Sequence, residues 1–289
     1  MTGIELRPEE RASLLVLAQQ VARAAGGLLR DRLSDVADGR LLASGASSKS
    51  SPTDLVTDVD RSSEALIVES LLRARPDDGI QAEEGSTKEG SSGVKWVIDP
   101  LDGTINYLYG IPAFAVSIAA LVGDRGVVGV VHNPVSGEIF SASLGDGARL
   151  DGGRLRLKPT GRPLSEALVG TGFSYSAEAR AAQARMLETI LPSVRDIRRA
   201  GAAALDLCSV ACGRLDAYYE AGLKPWDLAA GKVIALEAGA TVSLVEGLAH
   251  GAPTVVAAAP GLEEPLLELL ARTRAAGPGR AGIASDFES

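Results

Sequence analysis

The spacing of apolar residues predicts two amphipathic helices near the start of the chain. Apolar positions recur every three or four residues from Pro8 to Leu33 and again from about Val59 to Ala74, just before Pro76. That period is the period of one helix face. Residues 34–53 between the helices are rich in Ser, Gly and Asp, which is typical of a loop, and Lys49 lies within it.

The middle of the chain reads as a series of short strands. Ile80–Glu83 and Lys95–Asp99 are compact apolar runs, and the second ends abruptly at an Asp-Pro pair. Three further runs, Phe114–Val122, Gly126–His132 and Glu138–Leu144, are rich in Val, Ile and Ala and are separated by the turn sequences GDRG and NPVSG. This pattern predicts an antiparallel meander.

Strands and helices alternate after the Gly152-Gly153 turn. The predicted strands are Leu168–Thr171, Val194–Ile197, Ala217–Glu220, Thr241–Val245 and Thr254–Ala258, and the predicted helices are Ala177–Leu191, Ala202–Cys212, Trp226–Ala238 and Leu262–Thr273. A meander followed by alternating elements predicts an α/β (α+β) fold of layered helices and sheets. We expect an N-terminal half over residues 1–155 and a C-terminal half over residues 156–289 that form one compact unit.

Composition and net charge argue against a nucleic-acid-binding or membrane protein. The chain has 289 residues, of which 46% are hydrophobic, and its 29 Lys+Arg against 37 Asp+Glu give a net charge of −8. Such a surplus of acids argues against binding to nucleic acid or to an anionic membrane surface. The longest apolar run, near Phe114–Val122, is far shorter than the ~20 residues of a membrane span. With no secretory signal at the start, we expect a cytoplasmic protein.

Cysteine and histidine offer little chemistry. Cys208 and Cys212 are four residues apart in an apolar stretch, as expected for two small buried side chains on one helix face. Two cysteines cannot form a disulfide framework, and two distant histidines do not complete a zinc site. His132 and His250 are better suited to the core or to solvent than to catalysis.

The strongest chemical signal is the segment Asp99-Pro100-Leu101-Asp102-Gly103-Thr104. Pro100 fixes φ and lacks a donor, so we expect the chain to turn sharply out of the sheet there. Asp99, Asp102 and the Leu101 carbonyl can then converge as hard oxygen ligands, which suit Mg²⁺. Gly103 and Thr104 would begin a helix whose free N–H groups can bind phosphate. The alternative is a helix-capping Asp beside a surface Asp.

Three weaker signals accompany it. Glu83-Glu84 follow a predicted strand, although the Ser/Gly residues after them also fit a solvated loop. Asp227 opens an Ala-rich helix in WDLAAG, where it could be no more than a helix cap. The small residues Ala229, Ala230 and Gly231 predict that this helix packs closely and holds Asp227 rigidly. The segment KSSPTDLVTDVD, with Lys49, Asp54 and Asp60, does not by itself indicate a particular chemistry.

Taken together, these motifs resemble the inositol monophosphatase family, within the magnesium-dependent, lithium-sensitive sugar phosphatases. The resemblance covers about residues 10–270 and rests on four segments in the family's order: KSSPTDLVTDVD, WVIDPLDGTINY, GAAALDLCSVACGRLDAYYE and WDLAAG. It implies a layered α-β-α-β-α sandwich and a homodimer. The apolar meander Phe114–Leu144 contains plausible surface for the second copy.

The resemblance also implies roles for individual residues and two or three Mg²⁺ ions, which Mn²⁺ could replace. The metal ligands would be Glu83, Asp99, the Leu101 carbonyl, Asp102 and Asp227, with Asp60 holding a further ion. Asp60 and Thr104, together with Glu83, would orient the attacking water. The amides of Gly103 and Thr104 would cradle the phosphate, and the Ala203 backbone, Glu220 and Asp227 would meet the alcohol. Lys49 would lie on a mobile loop near the metals.

The implied activity is Mg²⁺-dependent hydrolysis of a small polyol phosphate, with inositol 1-phosphate favoured. No Cys or His nucleophile is positioned for the reaction, so a metal-activated water is the expected attacking group. Histidinol phosphate, fructose 1,6-bisphosphate and 3′-phosphoadenosine nucleotides are alternative substrates, and a regulatory interaction protein on the same scaffold is an alternative of another class. Ala82, Ile105 and Tyr107 depart from the family's common residues, which bears on substrate preference.

Overall fold

The computed structural model describes residues 6–37, 47–48, 55–56, 58–159, 161–249 and 252–275. Lys49, Asp54 and His250, which the sequence singled out, lie outside these residues. The helices are α1 Pro8–Asp31, α2 Leu33–Ala37, α3 Asp58–Ala74, α4 Thr104–Leu108, α5 Ala177–Ile190, α6 Ala203–Ala211, α7 Pro225–Ala238 and α8 Glu263–Ala275, with 3₁₀ turns at Leu164–Glu166 and Leu191–Ser193. The predicted helices are therefore present, within a few residues of their expected ends.

The strands form two large sheets and a small one. The strands are β1 Ser47–Ser48, β2 Leu55–Val56, β3 Gly79–Ala82, β4 Thr87–Lys88, β5 Val94–Asp102, β6 Ala115–Val122, β7 Arg125–His132, β8 Ile139–Ser143, β9 Gly147–Leu150, β10 Gly153–Leu155, β11 Leu168–Thr171, β12 Asp196–Arg198, β13 Ala217–Ala221, β14 Thr241–Ala249 and β15 Ala252–Ala258. The first sheet has the order β10-β9-β8-β7-β6-β5-β3-β4, the second β12-β11-β13-β15-β14, and β1 pairs with β2. The meander is antiparallel, as predicted, and β3 joins β5 in parallel.

Helices cover both faces of each large sheet. Apolar residues of α1 and α3 pack on one face of the first sheet. Helices α6 and α7 fill the space between the two sheets, and α5 and α8 cover the outer face of the second sheet. This order of layers confirms the predicted α-β-α-β-α sandwich. The change of sheet falls between Leu155 and Leu168, yet α7 packs on the first sheet, so the division into halves at residue 155 stays a proposal.

Two sequence expectations need correction. Strand β5 does not end at Asp99 but continues through Pro100 to Asp102, where pairing with β6 resumes after a bulge. The bulge accommodates a residue that cannot donate to the ladder. Strands β6, β7 and β8 are buried almost throughout between the two helical layers, so the surface that the meander could offer to a second copy is narrower than expected and consists of turns and strand ends such as Leu121, Val122 and Leu144.

Helix α1 packs against one face of the first sheet. An 18-residue window within Pro8–Val36 has a mean hydropathy of 1.3, so the segment is long and apolar enough to cross a membrane by length and composition alone. In the structure, however, its inner stripe, including Leu14, Val21 and Leu29, lies in the core against the first sheet. His132 also has a core position, as expected, with Nδ1 3.1 Å from the carbonyl of Glu138.

Candidate active site

A cleft of about 510 Å³ lies where the ends of β5, β13 and α7 meet. Most of the residues singled out from the sequence line it, together with the segment 172–176 and several residues the sequence did not indicate. The predicted lining residues are Glu83, Asp99, Leu101, Asp102, Gly103, Thr104, Ala203, Glu220 and Asp227. Tertiary structure thus gathers motifs that are up to 144 positions apart in sequence, between Glu83 and Asp227, into one acidic cavity.

The bulge in β5 shapes the floor of the cleft. The Ser63 hydroxyl on α3 donates to the Pro100 carbonyl at 2.9 Å, and the Leu101 N–H donates to Asp99 Oδ1 at 3.0 Å. Gly103 then adopts a φ of +92°, and a Cβ there would come within 2.9 Å of the Ala113 carbonyl. Only glycine fits this left-handed turn without strain, and it allows α4 to begin at Thr104 as predicted.

Thr104 and Asp60 form a hydroxyl–carboxylate pair. Thr104 Oγ1 lies 3.0 Å from Asp60 Oδ1 and 3.2 Å from the Leu101 carbonyl oxygen, so its single proton can be donated to either acceptor. Asp60 is only 1% exposed, on the first turn of α3. The pair connects helix α3 to the end of β5. It leaves the lone pairs of the Thr104 hydroxyl oxygen available at the cleft.

The Asp102 carboxylate caps helix α6 across the boundary between the layers. It accepts hydrogen bonds from the N–H groups of Ala203 at 3.2 Å and Ala204 at 2.7 Å. The residue at the N-cap position itself, Ala202, has no side chain that could accept them. The Ala203 backbone, which the family resemblance assigned to the alcohol of the substrate, therefore has its N–H group already bonded within the protein.

Glu83 sits at the end of β3, on a turn that a buried carboxylate organises. Glu64 on α3 accepts hydrogen bonds from the N–H groups of Glu84 at 2.7 Å and Ser86 at 2.9 Å. The Glu83 N–H donates to the Ile98 carbonyl at 3.1 Å. These bonds hold the backbone of Glu83 in place, and from there the charge of Glu83 raises the pKa of Asp99.

Asp227 lies in the first turn of α7, where its Oδ2 accepts a hydrogen bond of 2.7 Å from the Lys224 N–H. The helix-cap alternative considered for this residue is therefore present, alongside its position in the cleft. The helix is closely packed, as predicted, because a Cβ at Gly231 would come within 2.7 Å of the Leu207 side chain. This contact between α6 and α7 leaves Asp227 little freedom to shift along the cleft.

The acidic groups raise one another's pKa. Burial, followed by the charges of Glu83, Asp102 and Asp227, raises the pKa of Asp99 well above its ordinary value. Burial and the Asp227 charge do the same to the pKa of Asp102, against the hydrogen bond from Ala204. Burial raises the pKa of Asp227 to about 7, and the charges of Glu83 and Glu220 add to the shift. The cluster thus favours protons or cations.

The oxygen atoms that line the cleft are of the kind that a divalent cation binds, although the side chains that carry them do not converge on one position. Glu83, Asp99, Asp102, Asp227 and the Leu101 carbonyl present the hard oxygens that Mg²⁺ prefers. Within the described residues, no group of three or more His, Cys, Asp or Glu side chains is placed to hold an ion. Hydrogen bonds to Ala204 and to Lys224 turn two of the carboxylates toward backbone N–H groups instead.

Another part of the cleft is built around Glu220 on β13. The Tyr218 hydroxyl donates to Glu220 Oε2 at 2.5 Å. A Cβ at position 172 would collide with the Glu220 carboxylate, so Gly172 makes the room for it. Burial raises the pKa of Glu220, while the Tyr218 hydrogen bond and the positive charge of Arg199 oppose that shift.

Sequence reasoning missed four charged residues around this cavity. Arg199 and Lys224 line the cleft and bring positive charge to it. Glu64 could have been suspected, since an acid on the buried stripe of a helix requires partners. Asp206 is similarly placed on the buried side of α6. No signal in the sequence indicated that the two cations would face the carboxylates.

Comparisons with known proteins agree with this architecture. The model described as the inositol monophosphatase family matches residues 10–276. A Mycobacterium tuberculosis protein named inositol-1-monophosphatase SuhB is 48% identical over 284 residues, which cover 92% of this chain and 96% of that protein. A Pasteurella multocida protein named Nus factor SuhB is 43% identical over 222 residues, covering 75% and 82%.

Solved structures extend the comparison to the fold. The extragenic suppressor protein suhB from Bartonella henselae superposes with a TM-score of 0.81 at 34% identity, covering 89% of this chain and 98% of that one. Its likeness and the family match span both motif-bearing segments around Asp99 and Asp227, which confirms the resemblance first drawn from the motifs. The chain therefore belongs to the inositol monophosphatase family.

Proposed function

We propose that the chain hydrolyses the phosphate monoester of a small polyol in a magnesium-dependent reaction, with inositol 1-phosphate as the favoured substrate. The observation that carries this proposal is the Thr104–Asp60 pair at the edge of a cleft lined by mutually repelling carboxylates. A phosphate group in such a cleft requires cations between it and the protein. Family membership supports the same activity.

The residues that would hold Mg²⁺ are Glu83, Asp99, the Leu101 carbonyl, Asp102 and Asp227, with Asp60 for a further ion. Two or three ions are expected, with Mn²⁺ as a substitute. When bound, they would supply a water of lowered pKa and neutralise charge on the phosphate oxygens. Glu83 and Asp99 support this assignment because their negative charges act on each other, and a cation between them would relieve that repulsion.

Thr104 and Asp60 would direct the attacking water. The Thr104 hydroxyl donates a hydrogen bond to Asp60, so the oxygen of that hydroxyl is oriented to accept a hydrogen bond from a water in the cleft. Glu83 would assist from the end of β3. The N–H groups of Gly103 and Thr104 at the start of α4 would bind phosphate oxygens.

The alcohol of the substrate would lie toward Glu220 and Arg199. A buried carboxylate held by Tyr218 accepts hydrogen bonds from hydroxyl groups, and loss of such bonds discriminates strongly against alcohols without them. Asp227 would also contact this side of the substrate. The Ala203 backbone lines the cleft and remains our proposed contact to the alcohol, through an atom other than its N–H, which is bonded to Asp102.

The test is phosphate release with and without Mg²⁺ across a panel of monoesters. The panel contains inositol phosphates, glycerol 2-phosphate, fructose 1,6-bisphosphate, histidinol phosphate and 3′-phosphoadenosine 5′-phosphate. Asp227→Asn tests the metal assignment without disturbing the helix cap. Asparagine retains an oxygen that can accept the hydrogen bond from the Lys224 N–H. We expect this variant to fold and to release almost no phosphate; a wild-type rate would contradict the metal assignment.

The panel also separates the alternatives. Preference for histidinol phosphate, fructose 1,6-bisphosphate or the nucleotide would assign a related phosphatase, with Ile105 and Tyr107 as the first positions to examine. A relative named Nus factor SuhB brings forward a second candidate, a regulatory interaction protein. The absence of Mg²⁺-dependent phosphate release from every ester would favour it. A cytoplasmic homodimer remains our proposal for the form in which the chain acts.

A further inference from the structure

Asp206 is a buried carboxyl group that the proposed reaction does not use. It lies on helix α6, is 2% exposed, and its backbone N–H donates to the Ala202 carbonyl in the ordinary helical pattern. Its side-chain Oδ2 is fully buried and, within the described part of the chain, has no hydrogen-bond partner. A buried carboxyl oxygen without a partner destabilises a fold, so its presence at this position requires a reason.

The surroundings of Asp206 connect it to the alcohol-binding end of the cleft. Helix α6 packs against β13, on which Tyr218 and Glu220 are two residues apart and so point to the same face. The charges of Glu220 and Arg199 both act on Asp206. Asp206, Tyr218 and Glu220 therefore form one buried cluster, which reaches the cleft through Glu220 and Arg199.

The chemistry of Asp206 is that of a neutral acid. Burial, and next the charge of Glu220, raises the pKa of Asp206 to about 8, against the charge of Arg199. At neutral pH the group is mainly protonated, so it can donate as well as accept a hydrogen bond. Two carboxyl groups side by side then carry one negative charge, and the Tyr218 hydrogen bond and Arg199 favour Glu220 as the ionised one.

We propose that Asp206 is a positioning residue which, acting through Glu220 and Arg199, makes the cleft selective for phosphate esters of alcohols that carry several hydroxyl groups. This inference rests on the proposed phosphatase function and adds a residue to it. As a neutral acid beside Glu220, Asp206 has a proton to donate on that side of the carboxylate, which keeps the single negative charge of the pair on Glu220, directed toward the cleft and the Arg199 guanidinium.

The test compares a substrate with hydroxyl groups to one without them. Values of kcat and KM are measured with Mg²⁺ for inositol 1-phosphate and for 4-nitrophenyl phosphate, using wild type, Asp206→Leu and Asp206→Asn. We expect Asp206→Leu to raise KM for inositol 1-phosphate about tenfold, with kcat within about twofold and 4-nitrophenyl phosphate unchanged. Asp206→Asn imitates the neutral acid and should keep KM within about threefold of wild type.

Thermal unfolding separates positioning from a purely structural role. Leucine removes an unpartnered buried carboxyl, so Asp206→Leu should melt at or above the wild-type temperature. Cys208→Ala, on the same helix in the core, is the matched control: it should lower the melting temperature by creating a cavity and leave the ratio of the two substrates unchanged.

Four results would overturn the inference. Equal losses on both substrates for Asp206→Leu, together with a lower melting temperature, would make Asp206 structural. Unchanged kinetics for both Asp206 variants would make it irrelevant to specificity. Wild-type protein that releases phosphate from neither ester would overturn the proposed function and this inference together, whereas activity on both esters with an unmoved substrate ratio would overturn this inference alone.

Discussion

Asp102 and Ala204 are 102 positions apart in the chain, yet Asp102 Oδ2 accepts the hydrogen bond of the Ala204 N–H at 2.7 Å. A carboxylate at the end of the first sheet thus supplies the N-cap that helix α6 lacks in its own sequence. The same side chain lies in the acidic cleft with Asp227, whose negative charge raises the pKa of Asp102. One residue therefore couples the integrity of a central helix to the candidate metal site.

The cap predicts different stabilities for two substitutions at Asp102. Asp102→Asn retains one oxygen acceptor, enough for the shorter hydrogen bond from the Ala204 N–H but not for the one from Ala203, so we expect it to keep part of the cap's stabilisation. Asp102→Ala leaves the N–H groups of Ala203 and Ala204 without their acceptor and should lose about 1–2 kcal/mol relative to Asp102→Asn. Urea denaturation of both variants without Mg²⁺ measures the difference, and equal midpoints would show that the cap contributes nothing. Both variants should lose phosphatase activity.

The hydroxyl of Thr104 is expected to act in the reaction rather than in folding. Thr104→Val keeps the β-branched shape but removes the group that pairs with Asp60, and kcat should fall by at least about 10²-fold. Thr104→Ser keeps the hydroxyl and should retain most of the rate. The experiment is steady-state phosphate release at saturating Mg²⁺, with circular dichroism to verify folding. Equal rates for the valine and serine variants would remove Thr104 from the proposed role.

Magnesium is expected to stabilise the fold. The carboxylates of Asp99, Asp102 and Asp227 repel one another in the absence of a cation, so binding to the folded state alone should add about 2.7 kcal/mol at a concentration 100 times the Kd. Differential scanning fluorimetry across a Mg²⁺ titration detects the rise in melting temperature. Asp227→Asn should show a smaller rise. A melting temperature that Mg²⁺ leaves unchanged would count against the site.

The raised pKa of Asp206 predicts that this group contributes to folding stability in a pH-dependent way, and that its contribution falls as pH rises. Its pKa is about 8 in the folded chain and near 3.8 in an ordinary setting, so between these values the folded state holds a proton that the unfolded state has released. Folding stability from this group therefore falls as pH rises from about 4 to about 8. The free energy of unfolding of wild type minus that of Asp206→Asn should decrease between pH 5 and pH 8, without added metal; a constant difference would contradict the assignment.

Much of the secondary structure could be predicted because its local pattern is regular. Helix α6 spans Ala203–Ala211 where Ala202–Cys212 was expected, and β6 lies within the predicted Phe114–Val122. The prediction was wrong at Pro100, where a proline ordinarily interrupts a strand. The Ser63 hydroxyl and the bulge accommodate it here, and Ser63 is 37 positions away.

The faces of the meander illustrate a second limit. A run of Val, Ile and Ala shows that a strand is apolar on both sides, but not what covers each side. Helix α7, which follows β13 in the chain, packs on one face of the first sheet, while α1 covers the other. Both faces of these strands are therefore covered within this chain, and the interface expected over Phe114–Leu144 stays a prediction for the turns and strand ends alone.

The sequence by itself determined the layered fold class, the order of the elements and the family, because these follow from periodicity and from motifs that are contiguous in the chain. Tertiary structure decided which side chains meet. Asp102 caps α6, Glu64 organises the turn after Glu83, and Asp206 lies behind Glu220 through contacts between elements that are distant in sequence. A local pattern contains no information on such partners, since the partner of a buried polar group is set by how helices and sheets pack against one another.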